Sequence, residues 1–468
     1  MEFLPNHHKA MRAINPRSKS SHSSSAASGV ANNHTHPQPE SRSPTRPVFR
    51  TLLDAQVWHD VNMSSNQPLP STLTRISDRA KVVRPFSVMN ILQRVAELEE
   101  QGRDIISLCV GEPLQGAPKS VRTCAADIMT DGTSLGYSPA AGILPLREAL
   151  SGHYKRWYGL DIPANRFFVT TGSSGAFLLS FLACFDPGDR VALARPGYAA
   201  YKNILAGLGV EVVELDCGPD ERFQPTVELL DQAHSEGALA GVMLASPANP
   251  TGTMIPGEQF EQLSQWCHSH DVRIISDEIY HGITFTDSIG DCALQFNEDA
   301  IVISSFSKYW GMTGWRLGWA VLPENLVDTI AGLAGNYALC APVPAQHAAV
   351  EAFSESAYAE GEEALAGFAR ARQSVLDAAP SLGWRDLAPA DGAFYMYGLV
   401  EDVLGPYETA TQWCSALLET EGVAVSPGLD FDNVNGDKWV RISLAAGPEA
   451  VAEALRRIAK FQAAYLEK

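Results

Sequence analysis

Basic residues are scarce in this chain: 35 lysines and arginines stand against 54 aspartates and glutamates, a formal net charge of -19 over 468 residues. That sign argues against nucleic acid or an anionic membrane as the main partner. No apolar run reaches the length that spans a bilayer, so no transmembrane helix is expected. The eight cysteines, scattered from Cys109 to Cys414, contain no C-x-x-C pair. Such usage suits a reducing cytoplasm and speaks against a disulfide framework or a metal site. A hydrophobic period is missing from the first 70 residues, where 18–28 is rich in serine and 32–47 in His, Pro and Ser. This stretch reads as a disordered tail, or as a mis-assigned start with Met63 as the first residue. Its few acidic residues and many serines also fit an organelle transit peptide, although it has neither a clear amphipathic arginine face nor a secretory apolar core. It shows no helix-turn-helix pattern.

What is present is the composition of a folded enzyme, with 45% hydrophobic and 19% charged residues. The length exceeds one average domain, so one large and one smaller domain are expected. The most informative stretch is Ser304-Ser305-Phe306-Ser307-Lys308-Tyr309-Trp310-Gly311-Met312-Thr313-Gly314-Trp315-Arg316-Leu317-Gly318. It follows Ala300-Ile301-Val302-Ile303, which reads as a buried parallel strand. A lysine just past a strand end, among small hydroxylated residues, is placed to form an imine with a carbonyl. An arginine beyond two glycines can clamp a phosphate with its planar fork. A surface lysine and a structural arginine would explain either residue singly; together they point to a cofactor with both an aldehyde and a phosphate, pyridoxal 5′-phosphate (PLP).

The whole pattern resembles the PLP-lysine signature of the class I/II aminotransferases, the aspartate aminotransferase-like enzymes of fold type I. The resemblance implies an α/β, three-layer PLP-dependent transferase fold, with a mostly parallel sheet in a large domain and a smaller α+β domain. The corresponding division is 77–117 as N-terminal arm and part of the small domain, 118–345 as the large PLP-binding domain and 346–468 as the small domain. The family's motifs follow in its order from about Ser77 onward.

Residues 88–101 read as an amphipathic helix, and a short strand at 104–108 leads into Gly111-Glu112-Pro113. A glycine there lets a backbone amide approach a ligand, or the tripeptide is an ordinary turn; the resemblance makes it the loop over the substrate carboxylate. Tyr137 before a turn is a packing residue or, by resemblance, the tyrosine that reaches the cofactor phosphate of the neighbouring subunit in a homodimer with shared active sites. Residues 167–171 form a strand that turns through Gly172-Ser173-Ser174-Gly175 into a helix. A helix start with small residues binds phosphate well, and also occurs as a plain cap. The strand at 190–194 delivers Pro196-Gly197-Tyr198, where the aromatic is a core residue or, as in the family, lies on the pyridine ring.

The strand at 241–245 ends in Ser246-Pro247-Ala248-Asn249-Pro250-Thr251-Gly252. Two prolines and a glycine make a rigid turn that presents the Asn249 amide; by resemblance it bonds the cofactor's phenolic oxygen. The strand at 272–276 ends in Asp277-Glu278-Ile279-Tyr280. A carboxylate there needs a partner, either a salt bridge or helix cap, or the pyridinium nitrogen of PLP. The family pattern assigns Asp277 to that nitrogen and Tyr280 to the phenolic oxygen. Arg441, in the strand Trp439-Val440-Arg441-Ile442-Ser443, needs an anion: a structural carboxylate or, by resemblance, the substrate's α-carboxylate held through two hydrogen bonds.

These residues imply a cytoplasmic aminotransferase exchanging an amino group between an L-amino acid and a 2-oxoacid by a ping-pong mechanism. Lys308 is then the base and acid that moves the Cα proton to the cofactor's C4′ carbon, with Asp277 and Tyr280 as its catalytic partners. Ser173, Ser174, Ser305, Ser307, Arg316 and Tyr137 hold the phosphate, Tyr198 and Asn249 the ring and its oxygen, and Gly111, Asn249 and Arg441 the substrate. C–S lyases and decarboxylases share this constellation and remain alternatives; an aminotransferase-like transcription regulator is the alternative of another class. Ser174 has no lysine beside it in the phosphate turn, where related aspartate enzymes often carry a basic residue.

Overall fold

Short apolar runs bounded by turn residues, too short for helices, recur between 167 and 321. In the computed structural model, which describes residues 76–466 apart from 84, 86 and 87, seven of them pair into one sheet. The tail expected at 1–70, with Met63, lies outside the described residues. In chain order the first strand is β1 (Ile106–Ser107), and the seven are β2 (Phe167–Thr170), β3 (Arg190–Arg195), β4 (Glu211–Asp216), β5 (Gly241–Ala245), β6 (Arg273–Asp277), β7 (Ile301–Ser305) and β8 (Gly318–Val321). They lie in the order β2-β8-β7-β6-β5-β3-β4. Pairing is parallel from β7 to β4, and only β8 runs against its neighbours. Two antiparallel steps bring β2 back into the common direction, so β2, β3, β5, β6 and β7 all end on one edge. Ligands of open α/β sheets collect at that edge.

The two faces of the sheet follow from the two-residue period of a strand. Ala192, Val242, Leu244, Ile274 and Val302 join one core cluster, with Leu146, Leu150 and Tyr154 of the helix Leu144–Tyr158 and with Phe260 and Leu263 of the helix Gly257–Ser269. Val191, Leu193, Met243, Ile275, Ile301 and Ile303 face the other cluster, which holds Phe177 and Phe181 of the helix Gly172–Cys184 and Ile330 of the helix Glu324–Tyr337. Each buried Val, Leu, Ile, Phe or Met side chain among these contributes about 1.5–3 kcal/mol relative to an exposed one. The result is the expected three-layer α/β arrangement with a mostly parallel sheet.

Beyond the large sheet, β9 (Tyr395–Leu399), β11 (Ser426–Pro427) and β12 (Trp439–Ser443) form an antiparallel sheet in the order β11-β12-β9. The strand β10 (Val423–Ala424) pairs in parallel with β1. Helices Glu355–Ala378 and Pro448–Leu466 add Phe368, Val375, Leu455 and Ile458 to the first cluster. Among the described residues no helix is long and apolar enough to cross a membrane.

Candidate active site

The edge where the five strands end, together with β12, encloses a cavity of about 390 Å³. β7 leads through Ser305 to Ser307 and Lys308, and both of the latter line the cavity. The Ser307 N–H donates to Ser305 Oγ at 3.1 Å, which fixes the turn after the strand. Ser305 itself is buried and is not part of the cavity wall, because its hydroxyl is turned into this turn. Lys308 Nζ donates to the Gly111 carbonyl at 2.7 Å and pairs with no carboxylate among the described residues. The Thr313 hydroxyl donates to the Glu112 carboxylate, so the Gly111-Glu112 loop is latched to the lysine segment at two points. Gly111 has no room for a side chain: a Cβ would fall on the Tyr395 hydroxyl.

Asp277 ends β6 and lies on the cavity wall, 4% exposed. Burial pushes its carboxyl up to about 6, against the stabilising effects of the Tyr201 hydroxyl, the Ile279 N–H at 3.1 Å and the Lys308 cation. Tyr201 was not among the residues singled out from the sequence. It stands three positions after Tyr198, on the first turn of the helix Ala199–Leu208, and reaches across 76 positions to donate to Asp277. Tyr198 also lines the cavity, its ring edge-on to that of Tyr201 at 5.4 Å. Removing the Tyr201 hydroxyl takes a donor from the charged form, which raises the Asp277 pKa. In Tyr201→Phe the ionised fraction of Asp277 at pH 6 is therefore expected to fall about fivefold, read as an upward shift in its carboxyl ¹³C titration.

Tyr280 is buried, with its hydroxyl 3.0 Å from that of Tyr395 on β9. The Ser246-Pro247 and Asn249-Pro250 peptides are both cis, and the turn they shape presents Asn249 to the cavity. Asn249 Oδ1 accepts from Arg441 Nη1 at 3.0 Å.

Arg441 sits in the middle of β12, opposite Tyr397 and Ser426. It is 6% exposed and is held between the Tyr395 ring at 4.5 Å and the Phe431 ring at 4.7 Å. Its Nη2 donates to the Cys109 carbonyl at 2.5 Å and to Ser426 Oγ at 3.3 Å, while Nε has no hydrogen-bond partner. No carboxylate among the described residues pairs with it. A buried guanidinium with only neutral acceptors is costly unless an anion completes it.

A second guanidinium, that of Arg316, lines the same cavity beside a helix start. The helix Gly172–Cys184 starts directly after β2, with Gly172 at φ 66° and Ser173 and Ser174 on the cavity wall. Arg316, in the left-handed region at φ 51°, packs so closely that a Cβ on Gly172 would stand 2.5 Å from its Nη2. The only hydrogen bond of the Arg316 side chain among the described residues is from Nη1 to the Thr313 carbonyl at 3.0 Å. A helix start, two hydroxyls and an exposed guanidinium with no carboxylate partner among the described residues are groups that can hold a phosphate. Tyr137 stands apart: it is 84% exposed and not on the cavity wall.

The remaining wall is apolar. Val88, Met89 and Leu92 come from the helix Val88–Glu100, whose first N–H is held by Asp430 Oδ2 at 2.8 Å. Its amphipathic period is visible in the sequence, but not that its first turn faces the cavity. Among the described residues the only lysine or arginine side chains on the wall are Lys308, Arg316 and Arg441.

The family model for aminotransferase class I and II matches residues 103–458. The valine–pyruvate aminotransferase of Mycobacterium tuberculosis is 47% identical over 385 residues, covering 82% of this chain and 97% of that protein. The aspartate/prephenate aminotransferase of Thermus thermophilus is 32% identical, covering 82% of this chain and 98% of the relative. A crystal structure of an aminotransferase from Mycobacterium tuberculosis superposes with a TM-score of 0.80 at 46% identity, covering 83% of this chain and 99% of that one.

Proposed function

Because the chain belongs to the class I and II aminotransferases, enzymes that use PLP to move an amino group between an amino acid and a 2-oxoacid, we propose that the cavity around Lys308 holds PLP and accepts amino donors with apolar side chains. The observation that carries this reading is the buried Arg441 guanidinium, which no carboxylate among the described residues neutralises, together with the exposed Arg316 guanidinium and Lys308 on the wall of the same cavity. The Arg316 guanidinium suits a phosphate and that of Arg441 an α-carboxylate.

Ser173, Ser174, Ser307, Arg316 and the helix N-terminus hold the phosphate, and Ser305 fixes the turn that carries Ser307. Tyr198 covers the ring, Asp277 takes its nitrogen, and Asn249 and Tyr280 take its phenolic oxygen. PLP supplies an aldehyde that accepts the amino group and a ring that takes up the electron pair left at Cα. Lys308 Nζ would remove the Cα proton as general base and, as general acid, deliver it to the cofactor's C4′ carbon, the one that carried the aldehyde. Arg441 orients the α-carboxylate of amino acid and oxoacid alike, as a ping-pong exchange requires.

Val88, Met89 and Leu92 face the substrate side chain, and beyond the three cations already assigned no lysine or arginine among the described residues lines the wall to serve a distal carboxylate. This supports valine as donor and pyruvate as acceptor, the pair in the name of the Mycobacterium tuberculosis relative. The PLP-loaded protein is expected to convert valine and pyruvate to 2-oxoisovalerate and alanine, with kcat/KM for valine at least about tenfold above that for aspartate, whose second carboxylate would be buried unpaired. Measured by product chromatography, equal rates for the two donors would overturn the specificity, and no amino transfer with any donor would overturn the function.

The family's pattern gives Tyr137 to the neighbouring subunit's phosphate, and its exposure supports a homodimer. Leu178 and Tyr337, both exposed, border an apolar hollow that also includes Ala140, three residues after Tyr137. Sedimentation of the full chain tests this reading.

A further inference from the structure

Glu278 follows Asp277 directly, yet its side chain goes the other way, into the core rather than the cavity. It is 2% exposed. The Ala293 N–H donates to its Oε1 at 2.7 Å, and the Ser276 hydroxyl at 3.2 Å, while Oε2 has no hydrogen-bond partner. Among the described residues the only basic group near it is the His281 ring, with Nδ1 at 3.5 Å from Oε2, and that nitrogen is already taken by the Tyr158 hydroxyl at 2.8 Å. Around this pair stand Asp277 on the same strand end, the Cys292 thiol, and Tyr154 and Tyr158 from the helix Leu144–Tyr158; His153 faces His281. None of these supplies a lasting positive charge. An ionised carboxylate here would be a buried, unpaired anion beside a second one, which is strongly disfavoured.

The backbone of the same residue joins the strands that carry the chemistry. The Glu278 N–H donates to the Ile303 carbonyl at 2.8 Å, and the Ser304 hydroxyl donates to the Glu278 carbonyl at 3.3 Å. These bonds tie the end of β6, with Asp277 and Tyr280, to β7, which leads to Lys308. The side chain pins that junction to the turn at Ala293.

We propose that Glu278 is a positioning residue that works in its protonated, neutral form: it anchors the Asp277–Tyr280 segment against the lysine-bearing strand and leaves Asp277 as the only anion at that strand end. The inference rests on the roles proposed above for Asp277 and Lys308, but the protonation state of Glu278 is readable without them. Burial raises the Glu278 carboxyl from its ordinary 4.5 to about 8, with a smaller contribution from the Asp277 charge, against the Ala293, Cys292 and Ser276 donors. His281 is pushed down to about 3 by burial and does not compensate. Between 4.5 and 8 the folded chain keeps a proton that the unfolded chain has released, so this group's contribution to stability falls as pH rises through that window.

Glu278→Gln keeps the shape and removes the proton, and therefore escapes that loss. The melting temperature of the full-length Glu278→Gln protein minus that of wild type is expected to become more positive from pH 5 to pH 8.5, with or without PLP. In parallel, Glu278→Ala should lower kcat/KM at pH 7 at least tenfold, and Glu278→Gln should recover most of it. A melting difference that is flat or falls with rising pH would overturn the neutral carboxyl. Glu278→Ala as active as wild type would overturn the positioning role. Loss of transamination in the wild type itself would leave the melting arm intact and strike only the functional reading.

Discussion

Replacing Lys308 with alanine is expected to lower kcat/KM for transamination by about 10⁴-fold or more, the upper end of what a positioned general acid–base contributes. No other described cationic side chain can take over. Arg316 and Arg441 line the same cavity, but a guanidinium does not give up its proton near neutral pH. Tyr280 is buried against Tyr395, and its hydroxyl is held well above its ordinary range by burial, so it is a poor base. The fold should survive the change. Lys308 is only half-buried, and its one side-chain hydrogen bond goes to the Gly111 carbonyl. The melting temperature should therefore move little while the rate collapses. A chemical readout separates loss of the reacting amine from mere disturbance of the cavity. Borohydride should fix PLP covalently on the peptide that contains Lys308 in the wild type, and on no peptide in Lys308→Ala. Label on a different lysine, or an active alanine variant, would remove Lys308 from the centre of the mechanism.

Lys308 and the helix start at Gly172 were legible because each sits just past a strand whose own signal is local. Gly241-Val242-Met243-Leu244-Ala245 and Trp439-Val440-Arg441-Ile442-Ser443 read as strands and are β5 and β12. The strand read at 104–108 shortens to Ile106–Ser107, since only two residues find a partner, in Val423 and Ala424. β4 and β8 carry weaker local signals. β4 is an edge strand with charged Glu211 and Glu214 and has β3 alone as a neighbour. β8 opens on Gly318, where the lysine motif ends, and its pairing with β2 and β7 is long-range. The site divides along the same line. Asp277 and Arg441 stand out as charges set in apolar strands, a pattern visible over five residues. Tyr201 and the first turn of the helix Val88–Glu100 enter only because the chain folds back on itself, and nothing in their neighbourhoods marks the approach. Glu278 is the intermediate case: its place in Asp277-Glu278-Ile279-Tyr280 is plain, but that it alone of the four turns away from the cavity requires the three-dimensional arrangement.

Truncating Arg441 to alanine should reduce kcat/KM for valine by roughly thirtyfold to several thousandfold, the 2–5 kcal/mol typical of removing one partner from a buried charged pair. The expectation comes from the way the guanidinium is held before any substrate arrives. Two rings clamp its faces, and neutral acceptors at Asn249, Cys109 and Ser426 fix its plane without cancelling its charge. Little conformational freedom remains to be lost when a carboxylate binds, so most of the charge-assisted hydrogen bonding shows up as binding. Arg441→Lys should not restore the rate, because an ammonium can neither stack between Tyr395 and Phe431 in the same way nor present two parallel donors. A structural explanation is nevertheless available, since Arg441 ties β12 to the Cys109 carbonyl and the Asn249 side-chain amide, and losing those ties would by itself slow the reaction. Substrate deletion separates the two. Isobutylamine is valine without its carboxylate, and it should be a poor donor for the wild type by about the factor that Arg441→Ala costs with valine. If Arg441 works through the carboxylate, the variant should treat valine and isobutylamine nearly alike. A variant that slows both donors by the same factor, keeping the wild-type preference for valine, would make Arg441 a structural residue and move the carboxylate site elsewhere in the cavity.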